Sequence, residues 1–485
     1  MSIFLIVLFC ILGLFLLLLL IALIRTMLMK PASADYKASP DAKRAKACAD
    51  KLSRMIRCET VSHRGVSEPD KFRAFHRVLE GLYPNVFRVC EKTDLNGNLL
   101  LKWKGKSSAH PILLMSHMDV VEATGKWTHE PFSGDIDQGL VWGRGAGDTK
   151  CSVMAFYQAV EELIESGVTP ETDVYLASSC TEETGGDGGP SIVEYLKGKG
   201  IRLAMLSDEG GGIIKDPMPG VPGCFAMVGV FEKGIGNLRF SAHGQGGHAS
   251  APKKNTPIPR LARFVAAVDK KSPFKSRMSR EVREMFERLA PYASFPMRLV
   301  FGNLWLFEPL LVRVMPKISA QAAAMLRTTI AFTMASGSDG INVIPQEATV
   351  SANLRFIPHQ GAKESIAVIT DKAKKYGLKT EVLDACEPSP SVDISGRAFR
   401  LTQEAIEKTF PGAGCSPYVV TGATDARFYA PVCDNCIRFS PVVFGPKQMA
   451  GMHGVDETIE VNTLPGAVDY YRYIITHAAS LWQGA

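Results

Sequence analysis

The sequence has no Asn-x-Ser/Thr sequon, no internal repeat and no arginine-rich or aromatic-interleaved basic stripe. The last absence excludes nucleic acid as a partner, because the net charge of +6 is small for 485 residues and the basic residues are dispersed. The missing sequon fits a cytoplasmic or bacterial protein. The 11 cysteines are odd in number and irregularly spaced, which argues against a disulfide framework. One CxxC, CDNC at 433–436, has no second pair to complete a zinc site and reads as two ordinary thiols. Apolar residues at 46% and charged residues at 21% are ordinary for a globular chain long enough for two or three domains.

Charge is also missing from one long stretch. Between Ile3 and Ile24, IFLIVLFCILGLFLLLLLIALI holds no charged side chain. About 20 apolar residues suffice to span a bilayer as a helix, and a signal peptide has a shorter apolar core after a basic start. The run therefore predicts a single-pass anchor, with PASA at 31–34 leaving cleavage open. Arg25 and Lys30 come after the run, and the positive-inside tendency would put them, with the globular part, in the cytoplasm.

Beyond the apolar run the chain takes an α/β pattern. Residues 25–45 form a polar linker. From 46 to 233, apolar strands such as HPILLMSH, DVYLASSC and RLAMLSD alternate with helical periods such as TKCSVMAFYQAVEELIES. The style changes over 234–386: a strand at NLRFSAHG, a long helical stretch through residue 333, two strands in INVIPQEATVSANLRFIP, a helix and a strand at KTEVLD. The α/β style resumes over 387–485. The arrangement predicts a catalytic domain with a mixed sheet covered by helices, interrupted by an inserted α+β domain.

Ligands bind open α/β sheets beyond the carboxyl ends of the strands, and here acids and histidines cluster at those ends. ILLMSHMD ends in His117 and Asp119, VYLASSCTEETGG in Glu182 and Glu183, and AMLSDEGG in Asp208 and Glu209. GRGAGDTK puts Asp148 ahead of a helix, and GMHGVDE adds His453 in a glycine-flanked loop. Singly, each has a plain reading: a loop histidine, a solvated acidic pair, a helix N-cap. Together, two histidines and several carboxylates match the ligand set of a paired divalent-metal site. GRGAGDTK lacks the spacing and the Ser/Thr of a phosphate loop.

In this order, SHMDVV, GRGAGDTK, TEETGG, DEGG and HGVDE resemble the M20 metallopeptidases, the aminoacylase and carboxypeptidase group. The chain is most similar to the carboxypeptidase S and N-fatty-acyl-amino-acid synthase/hydrolase subgroup, whose lid insertion NLWLFEPLLVRVMPKISAQAAAMLRTTIA also resembles. The resemblance implies two Zn2+ ions: His117 and Asp208 on one, Glu183 and His453 on the other, Asp148 bridging. It implies Asp119 as the carboxylate orienting His117 and Glu182 as general base. From the lid and dimerisation domain, GQGGHASAP would bring His248 over the site, often from a partner subunit, with Asn342 and Arg355 also binding substrate. Arg427 in GATDARFY matches the arginine that pairs with the substrate's free carboxylate.

The expected activity is a metal-dependent cleavage of the amide before a C-terminal amino acid, on a small peptide or an N-acyl amino acid. A dipeptidase or aminopeptidase on the same scaffold, or a non-catalytic membrane-anchored binding protein, are the alternatives. Apolar residues over Leu304–Val314 would extend the substrate pocket, lie against lipid, or pack in a lid core or dimer.

Overall fold

The computed structural model describes residues 3–483. Its N-terminal helix α1 (Ile3–Leu28) continues four residues beyond the uncharged run, and most of its apolar side chains are exposed. Only its end is covered. Ala22 and Thr26 are buried, and Asn303 Nδ2 donates to the Ala22 carbonyl at 3.2 Å and to Thr26 Oγ1 at 3.0 Å.

After helices over Ala42–Ile56, Pro69–Leu82 and Pro84–Val89, the large sheet begins with strands β1 (Glu91–Leu95), β2 (Asn98–Trp103), β3 (Ile112–Met115), β4 (Val174–Ser178), β5 (Met205–Asp208), β6 (Gly212–Lys215) and β7 (Cys224–Glu232). Every residue of β3, β4 and β5 is buried, as expected of parallel strands covered on both faces. Helix α2 (Lys150–Glu165) lies in the crossover between β3 and β4 and buries most of its length.

The chain then leaves the sheet. The second unit holds β8 (Gly234–His243), α3 (Pro257–Lys270), α4 (Arg280–Leu289), α5 (Phe295–Phe301), α6 (Leu304–Ile318), α7 (Ala320–Leu326), β9 (Thr329–Ser336), β10 (Glu347–Phe356), α8 (Ala362–Lys374) and β11 (Lys379–Ala385). Its antiparallel sheet runs β9-β10-β8-β11. Strand β9 corrects the sequence reading, which carried the helical stretch through residue 333. The helices end at Leu326, and TIAFTMAS, rich in β-branched and aromatic residues, pairs with β10 instead.

On its return the chain adds β12 (Gly414–Val420), β13 (Cys436–Arg438) and β14 (Val443–Phe444). The large mixed sheet reads β1-β2-β4-β3-β5-β13-β7-β6-β14, with β12 parallel to β7. Three cores result among the described residues. Leu238, Phe240, Phe264, Leu354 and Ile369 form one between the second sheet and its helices; Leu113, Tyr175, Ile192 and Leu206 belong to another, and the third is the largest. Residues 278–326, inside the 234–386 stretch, pack elsewhere: α4 lies on β12, and Val282, Phe286, Phe301 and Leu326 join the large core. Strands β4, β3 and β5 are parallel neighbours, so their carboxyl ends open side by side.

Candidate metal centre

Past the end of β3, Ser116 N–H donates to the Ala177 carbonyl and Met118 N–H to that of Ser179. Strand alternation therefore continues, and His117 and Asp119 share one face. His117 Nε2 lies 3.2 Å from Asp148 Oδ1. Its Nδ1 lies 2.9 Å from the Asp119 carbonyl oxygen and 3.5 Å from the Asp119 carboxylate. The closer orienting contact thus comes from the Asp119 backbone. Its carboxylate instead accepts from Ser62 Oγ at 2.6 Å and from the N–H groups of Glu182 and Glu183 at 3.2 Å each. One buried acid ties the histidine loop to the acidic turn.

Asp148 is not a helix cap, since Thr149 holds the N-cap position of α2. Its second oxygen, Oδ2, lies 3.0 Å from His453 Nε2, and that nitrogen lies 3.1 Å from Glu183 Oε2. Asp148 therefore offers one oxygen to each histidine. His453 sits at φ +57°, a left-handed conformation uncommon for a residue with a side chain. The loop carrying Asp148 is moulded on Glu457, whose buried carboxylate accepts from the N–H of Gly145, Gly147 and Asp148 and from Arg144 Nη1. Lys150 does not face a phosphate site. It donates to the carbonyls of Met55 and Cys58, and burial pulls its pKa down to about 8.

Single donor atoms of His117, Asp148 and Glu183 lie within 4.8 Å of one another. Glu183 Oε1 is buried without a hydrogen-bond partner. A buried, unpartnered carboxylate oxygen beside two imidazoles fits a cation. The same acids favour positive charge on the imidazoles themselves. Burial opposes protonation of His117, but Asp119 and Asp148 outweigh it and hold its pKa well above the usual value. Hydrogen bonds to Asp148 and Glu183 raise His453 to about 10. Burial disfavours the Asp148 carboxylate, yet the two histidines hold its pKa far below the ordinary range.

The DEGG turn contributes two acids in different settings. Asp208 accepts N–H bonds from Glu209 and Ala426, both at 2.8 Å, and burial pushes its pKa up to about 6. Burial raises Glu209 well above its usual value, and the next largest influences come from Asp148 and Asp208. Glu209 and Asp148 line the same cavity. A Cβ on the following Gly211 would sit 2.1 Å from the Met227 carbonyl oxygen, so only glycine lets the turn pass there. Burial likewise pushes Glu182 well above the carboxylate range, against the pull of His117.

Arg427 stands beside the acidic turn: a Cβ on Gly185 would meet its Nη2 at 4.0 Å. Arg355 lies close enough that the Arg427 charge, after burial, lowers its pKa. The Arg355 Nη1 is buried and unpartnered, while its Nε donates to Asn353 Oδ1. Two neighbouring guanidiniums with a free buried donor have the chemistry that suits an anion. His248 and Asn342 stand together on a ribbon in which Gly247–His248 pairs with Val343–Ile344. Both are exposed, and the His248 ring bonds locally to Ser250.

Two contributors escape sequence reasoning. Glu457 lies four residues after His453 within an already suspect motif, which is its only signal, and Ser62 gives none.

The family model described as peptidase family M20/M25/M40 matches residues 113–477. A probable carboxypeptidase S-like 2 of Dictyostelium discoideum is 34% identical over 442 residues, covering 88% of this chain and 84% of that protein. An N-fatty-acyl-amino acid synthase/hydrolase of Xenopus tropicalis is 31% identical over 448 residues, covering 90% and 86%. A solved M20 family metallo-carboxypeptidase from Sulfolobus solfataricus matches with a TM-score of 0.64 at 16% identity, covering 88% of this chain and 97% of that one.

Proposed function

The chain belongs to peptidase family M20/M25/M40 and is a metallopeptidase-type enzyme, and from that premise we propose a membrane-anchored, binuclear zinc amidohydrolase. It would cleave the amide joining a C-terminal amino acid to a peptidyl or acyl group. The observation that carries this reading is Asp148, with one oxygen toward His117 and the other toward His453.

Glu183 and His453 would hold one ion, and His117 with an acid of the DEGG turn the other. Asp208 takes that place, since each of its oxygens accepts a single backbone N–H bond and keeps a lone pair for the ion. Two divalent ions, when bound, let a water ionise near neutral pH. Glu182 takes that proton and delivers it to the leaving amine, a task suited to a carboxyl held above its usual range. Arg427 and Arg355 grip the substrate carboxylate, which sets the scissile amide over Asp148.

His248 and Asn342 would donate to the oxyanion from a second copy of the chain, since their ribbon is exposed. The second sheet supplies a pairing edge in β9, where Met334 is 71% exposed. Helix α1 would be the anchor.

One set of four matched substrates tests the polarity, each end either free or blocked. Amidating the C-terminus should lower kcat/KM by about 10- to 100-fold or more, because charge-assisted hydrogen bonds contribute about 1.5–3 kcal/mol. Acylating the N-terminus should do no harm. Equal cleavage of the C-terminal amide and the free acid would contradict the reading.

A further inference from the structure

Glu232 and Arg438 are each 1% exposed and take no part in the chemistry described above. Glu232 ends β7, Arg438 ends the neighbouring β13, and Arg438 Nε donates to Glu232 Oε1. A buried ion pair contributes little net stability, because desolvation offsets the attraction, so what it holds in place matters more. The remaining bonds of the Glu232 carboxylate go to one residue. Thr424 donates from its N–H to Oε2 at 2.8 Å and from Oγ1 to Oε1 at 2.9 Å.

Thr424 is the N-cap of the short turn Asp425–Phe428, with its hydroxyl accepting from the Ala426 N–H. That turn carries Arg427. Among the described residues no carboxylate pairs with Arg427, whose guanidinium lies over the Phe428 ring at 4.6 Å. Its direction is therefore set by the turn, and the turn is fastened to Glu232. The Ala426 N–H also bonds Asp208, but Asp208 keeps a second bond from Glu209 N–H and its place in β5. Loss of Glu232 thus falls first on the substrate side.

Glu232 also stands where the two units join. Lys233 follows it and leads into β8, in which Ile235 is paired with Arg355 of β10. The returning chain crosses at the same place: Ser389 Oγ accepts from Glu232 N–H at 2.9 Å and from Arg438 Nη2 at 3.2 Å. Lys233 Nζ donates to the carbonyls of Ala324 and Arg327 at 2.9 Å each, which holds the end of α7 against the junction. Burial and the Arg427 charge lower the pKa of Arg355, and the Glu232 carboxylate partly offsets them. One buried acid therefore touches the turn of one arginine and steadies the charge of the other.

We infer that Glu232 is the positioning residue of the substrate-carboxylate grip. Through Thr424 it aims Arg427 of the large-sheet unit, and across the junction it keeps Arg355 of the second unit within reach of the same anion. The inference rests on the proposed roles of Arg427 and Arg355, and it names what holds two guanidiniums from different units in register.

The test compares Glu232→Gln, alone and combined with Arg438→Met, in the full chain at saturating zinc, using N-octanoyl leucine and its C-terminal amide. The single variant strands a buried guanidinium and should lose stability, whereas the combined one removes that charge and should recover it. Both should raise KM for the free acid about tenfold or more while kcat changes by less than about threefold. Both should also lower the free-acid to amide ratio of kcat/KM by about tenfold or more, because the amide offers no charge for the arginines to grip. Thr424→Val leaves the ion pair intact and deletes only the hydroxyl between it and the turn, and it should lower the ratio in the same direction. A pair that merely held the sheet together would alter stability and leave the ratio alone. An unchanged ratio in the combined variant or in Thr424→Val would overturn the inference. A wild-type chain that cleaves the amide as well as the free acid would instead overturn the arginine grip itself, and the inference with it.

Discussion

Replacing Asp119 with asparagine should weaken both metal binding and turnover. The carboxylate is fully buried and accepts from Ser62 Oγ and from the N–H groups of Glu182 and Glu183, while facing His117 Nδ1 at 3.5 Å. Asparagine keeps one acceptor oxygen and points an N–H2 group at donors. At least one charge-assisted hydrogen bond is lost, about 1.5–3 kcal/mol, and the remaining donor is left buried against another donor. Loss of a partner behind a metal ligand commonly costs about 10–100-fold in affinity. Because the same carboxylate fixes the backbone of both Glu182 and Glu183, kcat should fall even at saturating metal. Competition with a chromophoric chelator gives the affinity, and turnover at saturating zinc gives the second effect. Unchanged values for both would refute the role assigned to Asp119.

Glu182→Gln should retain metal and fold yet lose about three or more orders of magnitude in kcat, since both proton transfers depend on it; loss of metal instead would exchange its role with that of Glu183. Asp208→Asn should weaken zinc binding more than Glu209→Gln does, read by the same chelator competition, and the opposite order would move the ligand role to Glu209. His76 is buried, with Nε2 on the Gly97 carbonyl, and burial lowers its pKa from 6.5 to about 4. The unfolded chain therefore takes that proton first. The stability is fully present above pH 6.5 and declines as pH falls toward 4, by about 3 kcal/mol in all. Denaturant unfolding across that range should show the loss, and His76→Gln should flatten it.

The ends of β3, β4 and β5 were legible in sequence because each apolar run stops at its acids and histidines. Strand alternation does not depend on distant contacts, so His117 and Asp119 could be paired by spacing alone. The contacts that finish the site lie far apart in the chain. Ser62 reaches Asp119 across 57 residues, and Glu457 reaches Asp148 across 309. No local period encodes either. Strand β9 was hidden because its apolar residues continue a helical run without a strong break, and only pairing with β10 decides the matter. Helices α4–α7 read as part of the inserted unit by chain order, but the apolar face of α4 finds β12. Arg355 and Arg427 come from different units, and their proximity is a tertiary fact.

The most direct test of the account is a zinc titration of metal-free full-length chain, coupled to hydrolysis of an N-acyl amino acid. Activity should rise to a break at two equivalents per chain, and Asp148→Ala should bind neither ion, because that carboxylate serves both sides of the cluster. Full activity with no metal, or a break at one equivalent, would contradict a binuclear centre bridged by Asp148.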